Sequence, residues 1–162
     1  MVSAAEHLQR ILKGREQTVA VAESLTGGRL AVMLTALPGS SATFLGGVVS
    51  YATSVKVEVL GVPDEIVSRH GVVSSECAVA MARGVRSLLG STYGISTTGV
   101  AGPTDQEGQP PGTVFVGLAG PDGVSAVSLE LVGDRAKIQD RTCVEAVSAL
   151  VGILHQEETR LG

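Results

Sequence analysis

The chain has 162 residues, a net charge of −4, 44% hydrophobic residues and 17% charged residues. This length and apolar content predict one folded domain over residues 1–162 and exclude a disordered chain. The acidic balance, the absence of Trp and the presence of only two Tyr and two Phe argue against direct nucleic-acid binding, which relies on basic patches and aromatic stacking.

Apolar periodicity, glycines and prolines divide the chain into alternating helices and strands. Gly46 and Gly47 weaken the second strand and predict a bulge or a close backbone approach there. The predicted elements are helix 3–14, strand 19–22, a helix to about 37, strand 44–52, a short helix starting at 53–54, a short helix 63–70, helix 74–89, strand 93–98, strands 112–119 and 124–132 around a turn at 121–123, and a helix from 135 to about 156.

This order predicts an α/β fold, namely a three-layer α/β/α sandwich on a mixed, mostly parallel sheet. Helical crossovers join the early strands, and the late hairpin adds one antiparallel pair. In such folds, binding sites form where strands end and helices begin. The segments after the predicted strands are therefore the places to look for chemistry.

The first of these segments follows the buried strand 19–22 and contains Glu23, Ser24, Thr26, Gly27 and Gly28. A glycine-rich turn at a helix start presents backbone N–H groups and the positive end of the helix dipole. This arrangement suits an anion, either a phosphate or the oxyanion of a tetrahedral intermediate. Ordinary helix capping explains a Ser or Thr here, but it does not explain the whole cluster.

Tyr51 and Lys56 follow the second strand. The apolar neighbours of Lys56 predict partial desolvation, which lowers a lysine pKa and lets the neutral amine act as a base for a serine. The alternative is a surface lysine with its stem lying along apolar residues. His70 precedes Gly71 at a predicted helix end, where an interaction with the helix dipole explains it better than a role as general base.

Two further segments lie at strand ends. Residues 98–103 (TGVAGP) form a second loop of backbone donors, and Arg135 stands beside Asp134 at the start of the last helix. Arg135 is either a partner in a local salt bridge or a clamp for an anion. The polar segment 104–111 is predicted to be a mobile loop that closes over a ligand.

The remaining features concern cysteines, metals and membranes. Cys77 and Cys143 lie far apart in apolar helical sequence, which favours two buried thiols over a disulfide. No CxxC motif or His/Cys cluster indicates a metal site. Glycine and proline interrupt the uncharged stretch between Arg29 and Lys56, so neither half reaches the ~20 residues of a membrane span. A cytoplasmic protein without membrane contact is expected.

At these residues the chain resembles the CinA C-terminal family. The shared motifs occur in the same order over almost the whole chain, from about residue 5 to 155. They are AESLTGG (22–28), the segment from Gly47 through Tyr51 to Lys56, GV (61–62), HGVVS (70–74), TGVAGP (98–103), PGTV (111–114) and GDR (133–135). Characterised members of this family are nicotinamide mononucleotide (NMN) deamidases.

The resemblance implies hydrolysis of the NMN carboxamide to nicotinate mononucleotide and ammonia, with no metal and no cofactor, by a self-associating protein. The hypothesis is that Ser24 attacks the carboxamide, Lys56 takes its proton and Tyr51 relays or orients. Backbone amides of Thr26, Gly27 and Gly28 would hold the oxyanion. Ribose and phosphate would bind the loop residues Thr98, Gly99, Ala101 and Gly102 together with Arg135, and Glu23 or Tyr51 would favour the cationic ring.

Several alternatives stay open at this stage. The sequence does not decide between Ser24 and Thr26 as nucleophile. Relatives often carry Asn where this chain has Thr53, which removes an amide that could orient substrate. Larger relatives carry an N-terminal domain similar to molybdopterin-binding proteins, so this chain is expected to be the stand-alone form. The rival functions are a phosphate-binding regulatory module and a protein-interaction module linked to competence or DNA damage.

Overall fold

The computed structural model describes residues 1–161, which form six α-helices and five strands. The elements are α1 (Ala4–Arg15), β1 (Val19–Glu23), α2 (Arg29–Thr35), β2 (Phe44–Val49), α3 (Thr53–Glu58), α4 (Asp64–His70), α5 (Ser75–Leu89), β3 (Tyr93–Gly99), β4 (Thr113–Gly120), β5 (Gly123–Glu130) and α6 (Arg135–Leu161). None of the helices in residues 1–161 combines the length and the apolar character that crossing a bilayer requires.

The sheet has the strand order β2-β1-β3-β4-β5. β1 runs parallel to β2 and to β3, whereas β3–β4 and β4–β5 are antiparallel pairs. Only β4 therefore runs against the other four strands among residues 1–161. The predicted mixed, mostly parallel sheet is confirmed.

Helices cover both faces of the sheet because successive strand residues point to opposite faces. In β1, Val19 and Val21 join a core cluster with α1, α2 and α6, whereas Ala20 and Ala22 join a second cluster with α5. The three-layer sandwich follows directly from these two cores. Cys77 and Cys143 are buried free thiols in different clusters, as predicted.

β2 is shorter than predicted but carries the predicted irregularity. Its register with β1 shifts after Phe44, so that Ala20 pairs with Gly46. A Cβ at Gly47 would lie 2.6 Å from Val21 Cγ2, which shows a close approach of the two strands. The strand ends at Val49 because the chain then leaves the sheet, and residues 50–52 turn into α3.

α6 extends beyond the predicted end at Gln156 and reaches Leu161. Arg15 of α1 holds this extension: its guanidinium donates to a Glu157 carboxylate oxygen at 2.9 Å and to the Leu154 carbonyl at 2.8 Å. This contact joins residues far apart in sequence, so helical periodicity alone could not reveal it.

Candidate active site

A cavity of about 330 Å³ opens at the carboxyl ends of β1, β2 and β3. This is the edge at which parallel α/β sheets bind ligands. The cavity is predominantly polar and contains two basic side chains and one carboxylate. It is lined by Ser24, Leu25, Tyr51, Thr53, Lys56, Val72, Thr98, Gly99, Val100, Ala101, Gly102, Thr104, Asp105, Gln106 and Arg135.

Ser24 and Lys56 meet inside this cavity. Lys56 Nζ lies 2.9 Å from Ser24 Oγ, and the two residues are only 1% and 9% exposed. The same Nζ donates to the carbonyl oxygens of Ser50 at 2.7 Å and Tyr51 at 3.2 Å. The buried amine is thus held by three oxygen atoms, and one of them is a serine hydroxyl facing the cavity.

The surroundings of Lys56 favour the neutral, unprotonated form of its amine. Burial lowers the pKa of Lys56, and the nearby Cys77 and Glu107 oppose this shift in part. A neutral amine keeps two N–H groups and one lone pair. The two carbonyls accept the N–H groups, so the lone pair is left to accept the proton of the Ser24 hydroxyl. The contact therefore has the geometry of a nucleophile and its general base.

Local structure explains why these two side chains converge. Ser24 immediately follows β1, and its amide donates to the carbonyl of Thr97 at 3.0 Å on the neighbouring strand β3. Lys56 lies on α3, which begins directly after the turn formed by Ser50 and Tyr51. The apolar neighbours of Lys56 predicted its desolvation, and its 1% exposure agrees with that interpretation.

Glu23 does not reach the cavity, so its predicted contact with the substrate ring is wrong. Its carboxylate accepts hydrogen bonds from the amides of Gly28 (3.2 Å), Leu30 (2.8 Å) and Ala31 (3.0 Å). Glu23 is 1% exposed. The side chain therefore caps α2, and it points to the opposite face of the sheet from Ser24.

The glycine turn also differs from the prediction. Gly27 donates its amide to the Ser24 carbonyl at 3.1 Å, and the Gly28 amide is bonded to Glu23. Thr26 is fully buried, and its hydroxyl is hydrogen-bonded to that of Thr97 at 2.8 Å. None of these three residues lines the cavity. The amides of Gly27 and Gly28 are therefore bonded within the turn that carries Ser24 instead of being free to hold an oxyanion.

Tyr51 and Arg135 form the rim of the cavity. Arg135 donates to the Tyr51 hydroxyl at 3.0 Å and to the Gly102 carbonyl at 2.6 Å. The Tyr51 side chain is 60% exposed, and only its backbone carbonyl contacts Lys56. The Tyr51 hydroxyl is thus bonded to Arg135, and its role in relaying a proton or orienting the site stays a prediction. Arg135 has no carboxylate partner among residues 1–161, which favours the anion clamp over the local salt bridge.

The second predicted loop does form one wall of the cavity. Gly99, Ala101 and Gly102 contribute backbone, and Thr98 lies at its base. The Thr98 hydroxyl donates to the Val72 carbonyl at 2.6 Å, which makes it a link between β3 and the segment before α5. Thr53 also lines the cavity.

Segment 104–111 is tied down by contacts that the sequence did not predict. The Glu107 carboxylate accepts the amides of Val72 at 3.0 Å and Val73 at 2.9 Å, and the Gln109 side-chain amide donates to the Val73 carbonyl at 2.8 Å. Closure of this segment over a ligand stays a prediction. Sequence reasoning also missed the Ser50 carbonyl and Asp105, because backbone acceptors and isolated surface acids carry no sequence signal.

His70 ends α4 and lies outside the cavity. Its Nδ1 is 3.5 Å from a carboxylate oxygen of Glu76 on α5. This position agrees with a structural role. Within residues 1–161, no group of three or more His, Cys, Asp or Glu side chains could hold a metal ion. The expected metal independence stays a prediction.

Known proteins share both the sequence and the fold. The family model of the CinA C-terminal domain matches residues 1–154. A CinA-like protein of Frankia casuarinae is 52% identical over 156 residues, covering 94% of this chain and 36% of the relative. A putative competence-damage inducible protein of Bacillus pumilus is 43% identical over 154 residues, covering 95% of this chain and 37% of the relative. The chain thus spans little more than a third of the length of these curated relatives.

Two solved structures match almost completely. A CinA superfamily protein from Klebsiella pneumoniae superposes with a TM-score of 0.92 at 30% identity, covering 94% of this chain and 96% of the other. A competence/damage inducible protein from Agrobacterium tumefaciens gives a TM-score of 0.87 at 30% identity, covering 94% and 95%. Because the family match spans nearly the whole chain, the protein belongs to the CinA C-terminal domain family.

Proposed function

We propose that this protein is an amidohydrolase that converts NMN to nicotinate mononucleotide and ammonia. The observation that carries the proposal is the buried contact of 2.9 Å between Lys56 Nζ and Ser24 Oγ. A serine paired with a neutral lysine is an established nucleophile–base arrangement for acyl transfer. The choice of NMN as the substrate rests on the resemblance to NMN deamidases.

Ser24 Oγ attacks the carboxamide carbon while Lys56 accepts its proton. Lys56 then gives this proton to the departing nitrogen, and ammonia leaves an ester on Ser24. In the second half, water attacks the ester carbonyl and Lys56 takes the water proton, which returns to Ser24 as nicotinate mononucleotide is released. Leu25 lines the cavity beside Ser24, and its amide makes no hydrogen bond to an acceptor among residues 1–161, so we assign this amide to the developing oxyanion.

The charges around the cavity match the two ends of NMN. Arg135 is held by a phenol and a carbonyl, both neutral acceptors, so a phosphate competes well for its guanidinium. Asp105 is the carboxylate among the lining residues and favours the cationic pyridinium ring. We therefore place the phosphate near Tyr51 and Arg135 and the carboxamide at Ser24.

A non-catalytic binding or interaction module is the alternative, and it accounts less well for Lys56. Removing a lysine amine from water costs several kcal/mol unless its partners compensate. A module that only binds phosphate or protein gains nothing from burying a lysine against a serine. The name of the Bacillus pumilus relative, putative competence-damage inducible protein, describes a biological context and no chemistry. Self-association and a cytoplasmic location stay predictions.

The test is a coupled ammonia assay on NMN, nicotinamide riboside and nicotinamide. We expect ammonia from NMN, and kcat/KM for the riboside lower by roughly 10- to 100-fold, because a charge-assisted hydrogen bond contributes ~1.5–3 kcal/mol. Arg135→Ala should remove most of this difference, and a chelator should leave activity unchanged. No ammonia from any substrate would refute the function, whereas equal kcat/KM values would refute only the phosphate clamp.

A further inference from the structure

Segment 99–112 forms one wall of the cavity although, apart from Gly99 at the end of β3, it lies outside the five-stranded sheet and the helices. A loop of this length has several accessible conformations unless contacts fix it. Thr104, Asp105 and Gln106 line the cavity, and the next residue, Glu107, makes the contacts that reach across to the segment before α5.

These contacts satisfy every backbone polar group of two residues. Glu107 accepts both amides of Val72 and Val73, Thr98 donates to the Val72 carbonyl, and Gln109 donates to the Val73 carbonyl. Val72 itself lines the cavity. The cavity wall and the segment before α5 are thus joined by four hydrogen bonds, and one carboxylate makes two of them.

Gly71 makes room for this carboxylate. Its φ of 75° lies in the left-handed region, and a Cβ at this position would come within 2.5 Å of Glu107 Oε1. Glycine is therefore required here twice, once for the backbone conformation and once for the space that Glu107 occupies. The segment HGVV at 70–73 therefore binds a carboxylate through the amides of Val72 and Val73, with Gly71 leaving the space for it.

We propose that Glu107 is a positioning residue that fixes segment 99–112 as a preformed wall of the cavity by binding the amides of Val72 and Val73. This proposal rests on the proposed function, because the wall is the part that would contact the substrate. Glu107 does not line the cavity and does not touch the reacting atoms. It acts through the loop, and its charge acts on Lys56 from a distance.

The first test needs no substrate. Glu107→Gln replaces one acceptor oxygen by an NH₂ group that faces a backbone amide, so at least one hydrogen bond is lost. We expect amide hydrogen exchange at Val72 and Val73 to accelerate by about tenfold or more, together with exchange across residues 99–106. Glu76→Gln is the matched control, because Glu76 lies next to the same segment and contacts Ser75 and His70 instead of the loop.

The second test is kinetic. With NMN, Glu107→Gln should raise KM by about tenfold and leave kcat within a few-fold, because the wall is loosened while Ser24 and Lys56 stay in place. The rising limb of the kcat/KM pH profile should move to lower pH, because Glu107 and Cys77 are the ionisable groups that raise the pKa of Lys56. Glu107→Asp keeps the charge, so it should restore the pH profile but not KM.

A double-mutant cycle tests the contact through stability alone. Gly71→Ala should lower the free energy of unfolding more in the parent than in the Glu107→Ala variant. In the variant the clash with the Glu107 carboxylate is gone and only the backbone strain at residue 71 remains. Additive effects on the free energy of unfolding would show that the carboxylate does not occupy this space. This measurement is independent of catalysis and needs only folded variants.

The outcomes separate the two proposals. Unchanged amide hydrogen exchange at Val72 and Val73 in Glu107→Gln would show that Glu107 does not fix segment 99–112 through these amides, whatever the activity. Faster exchange with unchanged KM and pH profile would overturn the positioning role. If the parent protein releases no ammonia from NMN, the proposed function fails. The structural role of Glu107 then stands only if amide exchange across residues 99–106 rises in Glu107→Gln together with that at Val72.

Discussion

Lys56 combines two properties that rarely coincide in one residue. It is 1% exposed, and its amine contacts only oxygen atoms: two carbonyls and the Ser24 hydroxyl. The carbonyls stabilise the ammonium form, whereas burial favours the neutral amine and lowers the pKa. The balance keeps the amine in place in both protonation states, which a group that must accept and return a proton requires.

The role of Lys56 predicts a specific pH dependence. Because its pKa is lowered, kcat/KM for NMN should rise with pH along a limb well below the ordinary lysine pKa of ~10.4. Lys56→Arg keeps a positive charge but cannot act as a base, so turnover should fall by at least about a thousandfold. Ser24→Ala should lose as much, and the double variant should be little worse than either single variant.

Lys13→Arg on the exposed face of α1 is the control and should keep full activity. Binding of NMN, measured by calorimetry, should survive in Lys56→Arg because the proposed phosphate contacts lie at Arg135. Turnover by Lys56→Arg within a few-fold of the parent would make Lys56 structural. Neither Glu23 nor His70 lines the cavity, so a different base would then have to be found.

The strand period explains which site residues the sequence could place. Val19, Val21 and Glu23 share one face of β1, and Val19 and Val21 pack toward α1, α2 and α6. The predicted strand ends at residue 22 and leaves Glu23 in the turn. Because β1 includes Glu23, alternation puts its side chain on the face of Val19 and Val21, away from Ser24. The roles of Tyr51 and Glu107 were not accessible in this way. Both depend on contacts between segments distant in sequence, which no local pattern encodes.

At the level of elements, the sequence predicted every α-helix and strand of the structure, and most boundaries within two or three residues, but not the short 3-10 helix Ser40–Ala42. Periodicity and capping residues such as Ser3 and Ser74 are local signals, and both side chains do accept N-terminal amides of their helices. The errors, the early end of β2 and the extension of α6, arise where tertiary contacts override local preference.

Glu23 gives the sharpest prediction at this scale. Its two carboxylate oxygens accept three amides at the start of α2, including those of Leu30 and Ala31. Glu23→Gln turns an NH₂ group toward one of these donors, so we expect a loss of about 1.5–3 kcal/mol in the free energy of unfolding, measured with urea. Glu130→Gln, at an exposed strand end, should change stability by less than ~0.5 kcal/mol. Equal effects of the two substitutions would refute the capping role.

For the whole molecule, each core carries one buried thiol. Burial raises the pKa of Cys77 from 9.0 to about 11 and that of Cys143 to about 12. In the unfolded chain both thiols ionise near pH 9, so between pH 9 and 11 the folded state binds more protons. The free energy of unfolding then falls as pH rises, by about 1.4 kcal/mol per pH unit for each thiol. Lys56 acts with the opposite sign, because its pKa is lowered in the folded state.

A comparison of variants isolates the contribution of the thiols. Urea unfolding under reducing conditions between pH 9 and 11 should show a steep loss of stability in the parent. In the double variant Cys77→Ala and Cys143→Ala, we expect the slope to be smaller by up to about 2.7 kcal/mol per pH unit, because the titrations of the two thiols are removed while that of Lys56 remains. The cavities left by the substitutions lower stability at every pH and do not affect the slope. Identical slopes would show that the two thiols reach water in the folded protein, which contradicts the two-core packing that also buries Lys56.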